Sequence, residues 1–168
     1  GLVGSEMCIR DSCKAKLFKQ CKVGIVNADD KHTQDILRGA ICKVESYGIG
    51  DNADIKAENI ELLHEPGKIG LTYDCTGLVN MKVELNLPGK FSVYNSLCAI
   101  AITRHFDVDE EALKETLKHV RVKGRIELVK VSDDFTLMID YAHNAMALES
   151  ILTTLKAVSY THLQAHET

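Results

Sequence analysis

Residues 135–144, Phe-Thr-Leu-Met-Ile-Asp-Tyr-Ala-His-Asn, decide the fold class because they predict a short apolar strand that leads directly into a helix. Apolar residues then recur at helical spacing, at Ala147, Ile151 and Leu155. In open α/β sheets, ligands bind at the carboxyl ends of strands, and a helix start adds unpaired N–H groups that suit phosphate. Asp140 and His143 are therefore candidates for one share of a nucleotide site. The alternative is a capping aspartate beside a structural histidine.

A candidate phosphate-contacting residue lies just upstream of this stretch. Residues 121–124, Arg-Val-Lys-Gly, are typical of a linker, and two strands are predicted after it, at 125–131 and 135–139. Arg125 opens the first of these strands, where its planar fork of donors can reach a transferring phosphoryl group. The alternative is a surface arginine paired with Glu127. The two strands and the helix that follows them predict the beginning of a second domain.

The preceding segment predicts two helices. The turn Leu-Pro-Gly-Lys at 87–90 leads into a long apolar helix over about 91–105, and Asp107 or Asp109 caps a second helix that ends near residue 120. Ser92 and Asn95 are three residues apart and so share a helix face. An asparagine offers the donor and the acceptor that the edge of an adenine base needs. The alternative is that Ser92 is an N-cap and Asn95 an ordinary hydrogen-bonding residue at a helix start.

The first half of the chain predicts a mixed sheet. A strand at 23–27, a helix capped by Asp29 or Asp30 and running to about 40, and a strand at 42–47 indicate a parallel βαβ unit. Strands at 55–63, 69–74 and 78–85 then alternate with period two and are separated by turn residues, which indicates an antiparallel meander. The predicted fold class is therefore α/β. The Asn-Ala-Asp-Asp junction at 27–30 is interpreted as structural.

Composition excludes several classes of protein. The 168 residues are 45% hydrophobic and 26% charged, with a formal net charge of −4, which argues against a general nucleic-acid binder. No apolar run approaches the roughly 18 residues that cross a bilayer, so no membrane insertion is expected. The six cysteines form no C-x-x-C pair, which favours reduced thiols and a cytoplasmic location over disulfides or zinc. Four histidines are interpreted as surface residues: His32, His64, His105 and His119.

The two ends of the chain differ from the rest. Residues 1–12, GLVGSEMCIRDS, and residues 158–168, VSYTHLQAHET, do not continue the periodicity of their neighbours. Both resemble adapter-derived translations, and such segments are left out of fold reasoning. We therefore expect artefact-like tails on a fragment of a longer protein.

The elements between the tails, taken in order, resemble the Mur ligases, and most closely the member that adds the third amino acid of the peptidoglycan stem peptide. The resemblance covers about residues 13–157. It is carried by five motifs in the family's order: Asn-Ala-Asp-Asp at 27–30, Ala-Asp-Ile-Lys-Ala-Glu-Asn-Ile at 53–60, Leu-Pro-Gly-Lys-Phe with Val-Tyr-Asn at 87–95, Gly-Arg-Ile-Glu at 124–127, and Asp-Tyr-Ala-His-Asn at 140–144.

The resemblance implies domains and roles. Residues 13–120 would be the last part of a central ATP-binding domain, and residues 121–157 the start of a Rossmann-like C-terminal domain. Family roles would place Asn95 at adenine, Arg125 and His143 at the phosphates, and Asp140 at the ribose. The implied reaction is ATP-dependent and needs Mg²⁺: a carboxylate of UDP-N-acetylmuramoyl-dipeptide is phosphorylated, and the amine of an amino acid then attacks the acyl phosphate.

Departures from the family pattern limit what this chain can do alone. No G-x-x-x-x-G-K-[ST] loop occurs in the 168 residues, and the family's metal ligands have no counterpart, so the fragment is predicted to be inactive. Ala145-Met146 stands where the family often has a proline. The alternatives are another ligase of the superfamily, such as a cyanophycin synthetase or a Mur-like amidation subunit, or a non-catalytic nucleotide-binding domain.

Overall fold

The fold is mixed α/β and is built on two separate sheets. The computed structural model describes residues 12–65, 68–124, 126–129, 131–132, 137–143 and 145–158. Seven strands are present in these ranges: β1 Val23–Asn27, β2 Lys43–Gly48, β3 Ile55–Glu65, β4 Lys68–Gly77, β5 Met81–Leu85, β6 Glu127–Val129 and β7 Leu137–Ile139. Four helices lie between or after these strands: α1 Thr33–Ile36, α2 Lys90–Thr103, α3 Glu110–His119 and α4 Ala145–Val158. Residues 12–17 are also helical.

The larger sheet has the strand order β1-β2-β3-β4-β5 and begins with parallel pairs. β1 and β2 pair in parallel from Val23↔Lys43, and β2 and β3 pair in parallel over two positions that begin at Tyr47↔Ile55. The predicted parallel βαβ unit is therefore confirmed.

The crossover between β1 and β2 differs from the prediction. α1 has four residues, and its N-cap is His32, which makes no side-chain capping bond. Asp30 instead accepts a hydrogen bond from His32 N–H, and Asp29 accepts one from Ile49 N–H in the loop after β2. The predicted capping by Asp29 or Asp30 of a helix that runs to about 40 is wrong, because both carboxylates are engaged by loop N–H groups.

β3, β4 and β5 form the predicted antiparallel meander. β5 begins later than predicted, at Met81, because Gly77 adopts φ 98° and Leu78 N–H donates to Asp54 O at 2.9 Å, which makes the preceding segment a turn. The predicted alternation holds along β5, where Met81, Val83 and Leu85 are buried.

The core lies between this sheet and α2. Its fully buried side chains come from β3, β4, β5 and α2, and each buried Val, Leu or Ile contributes about 1.5–3 kcal/mol. α3 adds Leu117 to the same core. The largest of these buried side chains are Tyr73, Ile55, Leu71, Leu85, Leu97 and Ile100.

The second sheet is the antiparallel pair β6–β7, registered at Glu127↔Ile139. α3 precedes it and is capped by Asp109, whose carboxylate accepts a hydrogen bond from Ala112 N–H at 2.9 Å. Residues 126 and 131 are not part of β6, and positions 125, 130, 135 and 136 of the two predicted strands lie outside the described residues. None of the helices in the described ranges is long and apolar enough to cross a membrane.

Candidate functional site

A cavity of about 680 Å³ lies between α2 on one side and the linker, β7 and α4 on the other. Three of the five predicted site residues, Ser92, Asn95 and Asp140, line it together. Its wall is mainly apolar with a few polar groups, which is the usual make-up of a small-molecule site. The other lining residues are Leu85, Leu87, Phe91, Ser96, Ala99, Leu117, Val120, Val122, Ile126, Ala147 and Ile151.

The turn before α2 brings Ser92 and Asn95 to this wall. Gly89 is the N-cap of α2 and adopts φ 97°, a conformation that favours glycine. Ser92 is therefore inside the first turn, and the alternative that Ser92 is the N-cap is wrong. Its hydroxyl donates to Pro88 O at 3.0 Å, so its remaining capacity is as an acceptor. Asn95 is exposed, and its side-chain amide has no hydrogen-bond partner among the described residues.

Ser96 is a polar residue of this wall that sequence reasoning missed. Its buried hydroxyl donates to Val93 O at 2.9 Å and lies 2.7 Å from the Tyr73 hydroxyl. Because the single Ser96 hydroxyl proton is donated to Val93 O, the Tyr73 hydroxyl is the donor to Ser96; burial raises the pKa of Tyr73. The sequence feature that could have indicated Ser96 as a cavity residue is its position directly after Asn95, at the start of an apolar helix.

The opposite wall is organised by Asp140. Its Oδ2 accepts a hydrogen bond from Ile126 N–H at 2.9 Å, and its Oδ1 accepts one from Ala142 N–H at 2.7 Å. Asp140 comes directly after β7, as the sequence predicted. The carboxylate is therefore fixed in position at the cavity by two backbone donors from different segments.

His143 and Arg125 are not placed at the cavity by the structure. His143 is exposed; its Nδ1 lies 3.0 Å from Tyr141 O, its ring meets the Tyr141 ring edge-on, and it is not among the lining residues. Arg125 lies outside the described residues. Its predicted alternative partner, Glu127, accepts a hydrogen bond from Gly124 N–H at 3.1 Å.

The Asn-Ala-Asp-Asp junction forms a separate cluster at the carboxyl ends of β1 and β2. Asp29 Oδ2 accepts hydrogen bonds from Ile49 N–H at 2.7 Å and from the Tyr94 hydroxyl at 2.9 Å. Burial raises the pKa of Asp29, but the hydrogen bonds from Ile49, Tyr94 and Gly50 outweigh it, so the pKa is lowered. A Cβ at Gly50 would lie 2.5 Å from Asp29 Oδ1, so a larger residue there would displace the carboxylate. Asp29 thus joins two loops to α2.

Glu45 on β2 is a buried carboxylate that sequence reasoning also missed. Its side chain is 2% exposed, and Oε2 accepts hydrogen bonds from Arg104 and, at 2.9 Å, His105. Lys43 Nζ lies 2.9 Å from Oε1 as an ion-pair contact rather than a directed hydrogen bond. Burial raises the pKa of Glu45, but the contacts with Lys43, Arg104 and His105 lower it by more, to about 2. His105, interpreted from sequence as a surface residue, is therefore part of an ion cluster.

The thiols and carboxylates do not form a metal site in the described part of the chain. Five described cysteines are free: Cys13, Cys21, Cys42, Cys75 and Cys98, while Cys8 lies outside the described residues. No group of three or more His, Cys, Asp or Glu side chains within the described ranges could hold a metal ion.

Comparison with known proteins gives a consistent result. Residues 11–103 match the profile of the family described as Mur ligase middle domain. A UDP-N-acetylmuramoyl-L-alanyl-D-glutamate–2,6-diaminopimelate ligase of Halalkalibacterium halodurans is 38% identical over 138 residues, which cover 81% of this chain and 28% of the relative. A protein of Clostridium acetobutylicum with the same name, numbered ligase 2, is 34% identical over 140 residues. The match covers 83% of this chain and 28% of the relative.

The fold has counterparts among solved structures. A crystal structure of MurF from Acinetobacter baumannii superposes with a TM-score of 0.74 at 22% identity, and the match covers 89% of this chain and 33% of that one. At this identity the likeness concerns the fold alone. The chain spans less than a third of the length of the curated relatives it matches.

Proposed function

The chain belongs to the Mur ligase family, and from this premise we propose that it is part of an ATP-dependent ligase that adds the third amino acid to UDP-N-acetylmuramoyl-dipeptide. The observation that carries the proposal is the cavity to which Ser92, Asn95 and Asp140 all contribute. The names of the relatives make 2,6-diaminopimelate the first amino acid to test.

We assign the nucleoside of ATP to this cavity. The apolar wall offers contact area to a base, and the unpaired amide of Asn95 supplies a donor and an acceptor for the edge of adenine. Asp140 keeps acceptor capacity beyond its two backbone donors, because a carboxylate has about four lone-pair sites. That capacity suits the hydroxyls of a ribose.

The chemistry of the intact enzyme follows from the nucleotide. When bound, ATP supplies the phosphoryl group that activates a carboxylate for attack by the amine of the incoming amino acid. The described residues contribute by holding the nucleoside and excluding water from it. We propose that Arg125 contacts the phosphates and that His143 approaches them.

We propose that residues 13–120 belong to the central domain and residues 121–157 to the C-terminal domain. The separation of the five-stranded sheet from the β6–β7 pair supports this division. The proposed nucleotide site then lies where the two domains meet, across residues 121–124. In this arrangement, Asn95 and Asp140 contact the nucleotide from the two domains, and closure of the domains would exclude water from it.

Nucleotide binding tests the assignment of the cavity. Titration of the chain with a fluorescent ADP analogue should show weak binding, because no phosphate-cradling loop is present in the 168 residues. Asn95→Ala and Asp140→Ala should each weaken it roughly five- to tenfold, the effect of losing one or two hydrogen bonds. Asn52→Ala, in an exposed turn remote in sequence from the cavity residues, is the matched control. Equal affinities for all four proteins would overturn the assignment.

A chimera tests the proposed reaction. The matching 138-residue segment of the H. halodurans relative is replaced by the corresponding residues of this chain, and diaminopimelate-dependent ADP release is measured with UDP-N-acetylmuramoyl-dipeptide. We expect the chimera to turn over, and the same chimera with Asn95→Ala to lose most of its activity. The isolated chain should release no ADP under these conditions. Turnover by the isolated chain would contradict the proposal.

A further inference from the structure

The linker contains a strained residue at the edge of the cavity. Ile126 adopts φ 46°, in the left-handed region, and its side chain is 6% exposed in the cavity wall. A β-branched residue is rarely found there because its Cβ substituents crowd the backbone. Such a conformation persists only where the surrounding structure holds it.

The group that holds Ile126 is the carboxylate of Asp140. Because Glu127 is paired with Ile139 in the β6–β7 register, Ile126 and Asp140 occupy the next opposed position. There the backbone ladder has ended, and Asp140 Oδ2 takes the Ile126 N–H at 2.9 Å in place of a main-chain carbonyl. The other oxygen, Oδ1, is bonded to Ala142 N–H at 2.7 Å, which keeps the carboxylate from rotating away.

A second carboxylate acts on the same linker. Gly124 adopts φ 71°, and its N–H donates to Glu127 Oε2 at 3.1 Å. Gly124 adopts this conformation without steric strain because it has no Cβ. The strain of the linker is therefore concentrated at Ile126, and Asp140 is the side chain that opposes its release.

We propose that Asp140 is a positioning residue, which clamps Ile126 in the left-handed conformation and so sets the position of the cavity wall formed by Ile126 and Asp140 relative to α2 on the opposite side. The link to nucleotide binding rests on the proposed function, whereas the clamp itself is a property of the chain without ligand. One consequence is that substitution of Asp140 disturbs the cavity even where no ribose contact is made.

Hydrogen–deuterium exchange of the full 168-residue chain without nucleotide tests the clamp. Exchange is followed in peptides over residues 120–132 for the wild type, Asp140→Ala, Ile126→Gly and the double variant. Asp140→Ala should speed exchange there about tenfold or more, but by less than about threefold in the Ile126→Gly background, since glycine adopts positive φ without steric strain. Asp140→Asn, which keeps a single acceptor oxygen, should give an intermediate rate. Asp109→Asn, at the cap of α3, is the control and should leave these peptides unchanged.

The outcomes separate the clamp from the proposed function. Strong coupling between the two substitutions supports the clamp, whether or not the fluorescent ADP analogue binds; failure of that binding counts only against the nucleotide assignment. If Asp140→Ala weakens nucleotide binding while exchange in the linker stays at the wild-type rate, Asp140 acts on the ligand alone and the clamp is overturned. Equal acceleration in the wild-type and Ile126→Gly backgrounds would also overturn it. Should Asp140→Ala not fold, Asp140→Asn takes its place in the same comparison.

Discussion

The two ends of α2 are held by different physical interactions. At the C-terminal end, Arg104 and His105 bind the buried carboxylate of Glu45. On the cavity face of the N-terminal end, Ser92 and Ser96 make neutral hydrogen bonds and Asn95 is left without a partner among the described residues. Asn95 and Arg104 are nine residues apart, about 13 Å along the helix axis. The helix is thus anchored by charge at the end remote from the site, while the end at the cavity keeps polar groups available for a ligand.

The largest expected effect is at the anchored end. Glu45→Ala removes the carboxylate that accepts hydrogen bonds from Arg104 and His105, and hydrogen bonds to charged groups contribute about 1.5–3 kcal/mol each. The measurement is urea unfolding at neutral pH. Asp35→Ala breaks the exposed pair with Arg38 and is the control, with an expected loss of under about 1 kcal/mol. Similar losses for the two variants would show that the Glu45 cluster is not an anchor.

Acid should weaken the same end of the helix. The folded pKa of Glu45, about 2, lies below its ordinary value of 4.5, so its stabilising contribution is fully present above about pH 4.5 and is lost as the pH falls towards 2. Stability of the wild type should therefore fall more steeply between these pH values than that of Glu45→Gln, which has no carboxyl to titrate at this position. The midpoint of urea unfolding, measured at several acidic pH values, gives the dependence of stability on pH for the wild type and for Glu45→Gln. Parallel slopes would mean that another carboxylate controls the acid response.

The contrast between the two ends also explains what the sequence could predict. Strands appeared as alternating apolar residues and the cavity residues as short motifs at strand or helix ends, because both signals lie within a few neighbouring positions. The role of Glu45 was not predicted, since its partners Arg104 and His105 are about 60 residues further along the chain. The Tyr73–Ser96 bond also joins distant segments, and no local pattern encodes such pairs.

Backbone details near the turns were hidden for a related reason. The left-handed Ile126 is set by a hydrogen bond to Asp140, 14 residues away, against the intrinsic preference of a β-branched residue. Likewise, Asp29 was expected to cap a helix, but donors from the loop after β2 engage its carboxylate. In both places a tertiary contact outweighs the local propensity.

At the cavity end, moderate losses of stability are expected. Ser96→Ala leaves the buried Tyr73 hydroxyl without an acceptor and should cost about 1–3 kcal/mol, whereas Tyr73→Phe removes the donor and should cost about 1 kcal/mol because Ser96 keeps its bond to Val93 O. The double variant should have nearly the same free energy of unfolding as Tyr73→Phe. Urea unfolding of the wild type and the three variants measures these differences. If Tyr73→Phe proves the more damaging change, the direction of this hydrogen bond has been assigned wrongly.

The smallest effect is expected at the exposed side of α2, where the Tyr94 hydroxyl donates to Asp29. Tyr94→Phe should lower stability by under about 1 kcal/mol, because Asp29 keeps its donors from Ile49 and Gly50. Burial and this hydrogen bond raise the pKa of Tyr94 to about 12, so any contribution of the bond is present at neutral pH and is lost only as the pH rises through that value. The ultraviolet difference titration between the wild type and Tyr94→Phe isolates this phenol. Asp29→Asn should move its transition to lower pH, since the hydrogen-bonded carboxylate disfavours the phenolate, and an unmoved transition would leave burial as the cause.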